Sequence, residues 1–301
     1  MRLAALLALV LAGLAALPSF ALPARATEAS GQSGTPEKRE KSLAELGAEL
    51  TKTYGGKTPV LWGERLPGIV SRLDAPGDSS ENPLDGLHDR RTLALTLDAC
   101  DGATDTRIIA LLRRHGVPAA IFATNRWLRA NAKLAAELAE DPLFTFACHG
   151  ARHKPASVDG KSAYGIAGTK NIAALVEEVE ANARALAAAT GKRPSWYRSG
   201  TAHYDEVALA VIRDLGFAAA GYTVSADAGA TLGENDVARR LRAAPDRAII
   251  LCHLNRPESG TFAGLARALP AMLKAGAVFV PLGPVPANHH HPRRDGPPAR
   301  T

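Results

Sequence analysis

Seven short apolar runs punctuate the chain from residue 92 onward, near 92–98, 117–123, 143–148, 194–198, 217–224, 247–252 and 277–281. They are continuous rather than alternating, as in Leu93-Ala94-Leu95-Thr96-Leu97, which predicts strands covered on both faces. Amphipathic stretches near 105–115, 130–140, 171–190, 204–215, 234–242 and 261–274 lie between them. In the first, Ile108, Leu111, Leu112 and His115 recur at helical spacing until Gly116 and Val117-Pro118 stop it. The helices after the third and fourth strands close on Gly191 and Gly216 in the same way. Strands separated by helices predict an α/β fold with a parallel sheet. Periodicity does not distinguish an open sheet from one closed into a barrel. Residues 42–91 precede the first strand, hold a helix near 42–54, and carry "TPVLWGERLPGIVSRLD", expected to pack over one end of the sheet as an N-terminal elaboration.

The two ends of the chain read differently. One Arg, an apolar run broken by Pro18, and Ala24-Arg25-Ala26 make the pattern of a cleavable secretory signal over residues 1–26. A periplasmic or secreted protein is therefore expected, with no stable membrane insertion after cleavage. A retained anchor is the alternative. Residues 27–41 are polar and Gly/Ser-rich, a disordered linker by composition. Residues 284–301 are Pro-rich and read as a disordered tail, with a His triplet of no assigned use. This leaves one domain over 42–283. The net charge is +6, but no basic stripe is interleaved with aromatics, so nucleic acid is not an expected partner. Nothing in the sequence sets the oligomeric state.

In parallel α/β folds ligands bind at the carboxyl ends of strands. Here those ends carry ionisable groups. Strand one ends at Asp98, with Asp101 beyond it in "DACDG"; strand three ends in His149 and His153. Strand four ends in Arg198, His203 and Tyr204, strand five in Asp227, and strand six in His253. Two His and one carboxylate with an open fourth position is the ligand set of a catalytic zinc site. A second carboxylate can act as general base and a further His as general acid. One acid of "DACDG" would then take a proton while the other holds the metal. The alternative for Asp101 is a turn-former or a cap for the helix that begins near Asp105.

These residues resemble the motifs of the polysaccharide deacetylases, carbohydrate esterase family four. The counterparts are "TLDACDG", "HGARH", "YRSGTAHYD", "SADAG" and "LCH", in the family's order, over about residues 92–282. The resemblance implies a distorted (β/α)7 barrel, zinc or another divalent metal ion, and removal of acetyl groups from an N-acetylated sugar polymer or oligosaccharide. It implies Asp98 as catalytic base, His253 as catalytic acid, Arg198 orienting the base, Asp227 tuning the acid, and His149 and His153 as metal ligands. Asp101 would complete that set. The chain departs from the pattern in three places. "DACDG" replaces an adjacent Asp-Asp-Gly, so either Asp101 reaches the metal from a longer loop or the carboxylate ligand is lost. Ser199-Gly200-Thr201 stands where prolines and a Tyr are usual, and the fourth motif lacks its Trp. The rival readings are a hydrolase of another amide or ester, and an inactive sugar- or wall-binding protein on the same fold.

Cys100, Cys148 and Cys252 each directly precede a motif residue. Strand alternation points Cys148 and Cys252 away from the adjacent His and under the helices, as small hydrophobes. A Cys100–Cys148 disulfide is a second possibility in an oxidising compartment. A thiolate metal ligand ranks below both, because the acid, base and ligand set is complete without one.

Overall fold

The computed structural model describes residues 40–74 and 91–283. The signal pattern at 1–26, nearly all of the polar linker and the His-bearing tail lie outside the described residues.

Ser42 and Glu45 form a reciprocal capping box that starts the first helix, Leu43–Tyr54. The central strand is Thr92–Ala99, buried at every position. In spatial order the main sheet runs Val224–Ser225, Ile249–His253, Thr92–Ala99, Ala119–Ala123, Phe144–Cys148, Trp196–Tyr197, Ala218–Ala220 and Ile69–Val70. All neighbours on this path are parallel. Val278–Phe279 also pairs with the beginning of Thr92–Ala99.

Ala218–Ala220 and Val224–Ser225 stand near opposite ends of this order, although three residues separate them. The sheet is therefore curled, and the chain itself crosses the gap. Gly221 donates its N–H to Val70 on one side, and the Thr223 N–H goes to Ile249 on the other. The single strand expected over 217–224 is two strands for this reason. At Gly221 a Cβ would press on the Ser71 hydroxyl and, at 2.7 Å, on Ile69 Cγ2, so a larger residue would have to displace these side chains. This is the distorted barrel of parallel strands that the family resemblance implied, and Ile69–Val70 makes the N-terminal elaboration part of its sheet.

The two faces of the strands explain the unbroken apolar runs. Leu93, Leu95, Leu97 and Ala99 pack in the cluster beneath the helices, with Ile108, Leu112, Leu175, Val179 and Leu265. Ala94, Ala120, Ala147, Ala218 and Ala220 surround Phe122 on the inner face. Small residues are needed there because a buried Arg198 occupies the interior, its guanidinium 4.1 Å from the Phe122 ring centroid. Cys148 and Cys252 belong to the outer cluster and all three cysteines are free, so the Cys100–Cys148 disulfide is not formed. Several elements had not been expected: strands at Trp62–Gly63, Ile69–Val70 and Tyr204–Asp205, a helix at Asn125–Ala130, and a hairpin of Ser162–Ala163 and Ile166–Ala167. No helix among the described residues is long and apolar enough to cross a membrane.

Candidate active site

Sheet register sets the first pair. His253 lies opposite Asp98 on adjacent parallel strands, so both side chains leave the same face at the same level. Arg198 rises through the interior beside them. Its Nη1 donates to Asp98 Oδ1 at 2.7 Å and to Thr96 Oγ1 at 3.0 Å, and its Nη2 donates to the Gly221 carbonyl at 2.8 Å. Burial alone would push the Asp98 carboxyl up; Arg198, then His149 and His253, outweigh it and hold the group below its ordinary range.

His253 is held from behind. Its backbone N–H donates to Asp227 Oδ2 at 2.7 Å and its Nδ1 to Asp227 Oδ1 at 2.9 Å. Thr261 Oγ1 donates to the same carboxylate, which is wholly buried. That leaves Nε2 as the ring nitrogen free of Asp227. Burial disfavours the imidazolium, but the bond to Asp227, followed by Cys100, carries the His253 pKa well above its usual value.

The third group is His149, His153 and Cys100. One donor atom from each lies within 4.8 Å of the others. His149 Nδ1 donates to the Arg198 carbonyl at 2.9 Å, which turns Nε2 toward Cys100 Sγ at 3.5 Å and Asp98 Oδ2 at 3.6 Å. The His149 and His153 rings meet edge-on, with centroids 4.8 Å apart. Burial would raise the Cys100 thiol, but His149, with smaller contributions from His153 and His253, brings it well below the ordinary value.

Asp101, expected as the carboxylate ligand, stands outside this group. Its Oδ1 accepts from the Ala103 N–H at 3.2 Å, and its Oδ2 is 3.6 Å from Arg256 Nη2. The cap of the following helix is Asp105, not Asp101. Strand alternation accounts for the exchange. Thr96 and Asp98 point inward, so the next inward position is residue 100, and Asp101 falls on the other side. The same alternation that sends Cys148 and Cys252 under the helices sends Cys100 to the site. The pattern 96, 98, 100 was the signal that could have found it.

The loop carrying both His residues is shaped by one helix, Ile172–Thr190. Asn182 Oδ1 accepts the N–H groups of His149 and Gly150. Glu178 Oε1 accepts those of Arg152 and Lys154. These two buried polar residues, four apart on an otherwise apolar helix face, also escaped the sequence reading. Gly200 closes against the same loop. A Cβ there would overlap the His153 carbonyl and approach its Cα at 2.8 Å. Gly200→Ala is therefore expected to cost about 1–3 kcal/mol by forcing a backbone shift, as read by thermal unfolding. Of the remaining strand-end residues, Tyr204 is buried and its hydroxyl accepts the Ser199 N–H. His203 packs against Trp62 and Tyr164.

All three groups open on one cleft of about 600 Å³, a size usual for small-molecule sites. Asp98, Cys100, His153 and His253 line it, together with Arg240, Arg256, Tyr164, Tyr222 and Glu64. Glu64 comes from the N-terminal elaboration and accepts from the Tyr222 hydroxyl at 2.6 Å.

Residues 85–220 match the family model of the polysaccharide deacetylases. Over that stretch the chain is similar to this family, as its motifs implied. No curated protein matches it. Among solved structures it resembles Bacillus subtilis PdaA, a family 4 carbohydrate esterase, at 16% identity over 77% of this chain and 85% of that one, with a TM-score of 0.55. It also resembles a family 4 carbohydrate esterase from Streptomyces lividans, solved with acetate, at 18% identity over 64% and 94% of the two chains, with a TM-score of 0.55. A third is a CE4-family pseudoenzyme from Bacillus anthracis, at 19% identity and a TM-score of 0.53, of whose length this chain spans 64%. At these identities the likeness is one of fold. The family match holds Asp98, His149, His153 and Arg198; it ends before Asp227 and His253, whose places come from the structure.

Proposed function

We propose that the protein is an exported, metal-dependent hydrolase that removes acetyl groups from an N-acetylated sugar. One observation carries this reading: a buried, Arg-paired carboxylate and an Asp-paired imidazole face each other in register, beside a Cys/His/His donor set. The donor set fits a metal. Two imidazoles and a low-pKa thiol are borderline-soft ligands suited to zinc, and three protein ligands leave a position open. Cys100, His149 and His153 would hold the ion, which when bound polarises the acyl carbonyl and acidifies water.

The chain's own residues do the rest. Asp98, kept ionised by Arg198, accepts a proton from the water whose oxygen adds to the acyl carbon. His253, kept protonated by Asp227, gives its proton to the nitrogen as the C–N bond breaks. That proton is needed because an amide anion is a poor leaving group. The products are acetate and a free amine. Export rests on the leader pattern at residues 1–26, and an acetylated wall polymer suits such a compartment.

Zinc-loaded protein is expected to release acetate from N-acetylated chitooligosaccharides or peptidoglycan, to stop on chelation, and to recover with added zinc. The second reading, an inactive sugar-binding protein, is favoured by the likeness to a pseudoenzyme and by the departure at "DACDG". Binding of the same sugars without acetate release at any metal loading would establish it in place of the hydrolase.

A further inference from the structure

Asn255 is 1% exposed, and neither its Oδ1 nor its Nδ2 has a hydrogen-bond partner in the protein. Thr201 Oγ1 is buried and unpartnered as well. Both residues line the cleft that holds Asp98, Cys100 and His253. A buried primary amide left unsatisfied on both sides carries a desolvation cost that nothing in the fold offsets. Neither group serves in the hydrolytic chemistry described above. The cleft is the route by which a partner from outside the protein can reach them.

The chemistry of the two groups restricts the partner. An amide presents a donor and an acceptor side by side, and a hydroxyl offers both at one atom. An anion would match only the donor, and an acyl chain would match neither. Neighbouring hydroxyls on a sugar ring match the whole set.

A third feature of the same cleft points the same way. Tyr164 is 78% exposed, the greatest exposure of any aromatic among the described residues. It is nonetheless held by two contacts. Its hydroxyl donates to Glu64 at 3.0 Å, and its ring meets His203 edge-on at 5.3 Å. It sits at the tip of the 162–167 hairpin with φ at +51°, a left-handed conformation unfavourable for a bulky side chain. An aromatic face fixed in solvent beside a polar cleft suits the apolar C–H face of a sugar ring.

We propose that Asn255 and Thr201 form a hydrogen-bonding subsite for the hydroxyls of a sugar ring, and that Tyr164 supports the face of a neighbouring ring. The ligand is then an oligosaccharide rather than a free monosaccharide. That the sugar is acetylated rests on the hydrolase reading; the subsite does not.

The test is an equilibrium titration with an N-acetylated chitooligosaccharide, with thermal unfolding and acetate-release kinetics measured alongside. Asn255→Leu, close to isosteric, is expected to weaken binding about tenfold or more, and Thr201→Val about threefold. Tyr164→Ala is expected to weaken it about tenfold for the oligosaccharide and much less for N-acetylglucosamine. Asn255→Leu should keep or raise the melting temperature, since it removes an unsatisfied buried amide. A residue with a structural role would lower it. Wild-type affinity in Asn255→Leu, a clear fall in its melting temperature, or no binding by the wild-type protein would each overturn the subsite. Sugar binding with the expected mutant pattern but no acetate release would uphold the subsite and reject the hydrolase. Acetate release with an unchanged KM in Asn255→Leu would do the reverse.

Discussion

Replacement of His253 by Ala is expected to lower kcat for acetate release by about a hundredfold or more, the usual size for loss of a general acid, with zinc content unchanged from wild type. The structure makes this the cleanest test of the chemistry. Asp227 keeps two of its three donors in the variant, the Thr261 hydroxyl and the backbone N–H of residue 253. The pocket therefore keeps its polar partners and the fold should persist. Asp98→Asn should lower kcat at least as far, because an amide cannot take the proton from water. It should also unfold more easily. Arg198 is wholly buried and Asp98 is its carboxylate partner, so the variant leaves a guanidinium without a counter-charge. Breaking such a pair costs about 3–5 kcal/mol. Steady-state kinetics, with circular dichroism to establish folding, separates the two losses. Full activity in either variant would remove that residue from the mechanism.

Cys100→Ala is expected to abolish zinc binding and activity together, and Asp101→Ala to leave zinc affinity within about threefold of wild type, far less than the tenfold or greater loss usual when a coordinating group is removed. The reasoning is geometric. Cys100 Sγ belongs to the compact donor group with His149 and His153, whereas Asp101 is occupied by the Ala103 N–H and faces Arg256. Cobalt substitution offers a readout independent of turnover. A thiolate ligand adds a charge-transfer band in the near ultraviolet, and the band should vanish in Cys100→Ala and persist in Asp101→Ala. Normal zinc content in Cys100→Ala with activity lost would instead make the thiol a nucleophile, since a low-pKa cysteine beside an imidazole is reactive in its own right.

Of the candidate site, the residues that the sequence placed on strand ends are the ones the structure gathers on one rim. Asp98 and His253 close long apolar runs, and a parallel sheet must bring such ends to one rim. Asp227 and His253 lie beyond the family match, yet Asp227 receives both the backbone N–H and the ring of His253. Residues displaced by a single position were harder. Asp101 and Cys100 are neighbours, and chemistry by residue type favoured the acid, but alternation along the strand favoured the thiol. Glu178, Asn182, Asn255 and Tyr164 could not be found this way. Each acts through loop backbone or a cleft assembled from distant segments, and none carries a local spacing that marks it.

The sequence by itself determined the parallel α/β architecture, the rim on which the chemistry sits, and the types of group gathered there. It could do so because burial on both strand faces and the length of each helix are written locally, in runs and periods. Only the tertiary structure decided which of two adjacent side chains meets the histidines, and that one segment, 218–225, serves both ends of a curled sheet. It alone decided that Arg198 passes through an alanine-lined interior to Asp98. These are matters of register, curvature and packing between residues about a hundred positions apart, and no local pattern encodes a distance across a barrel.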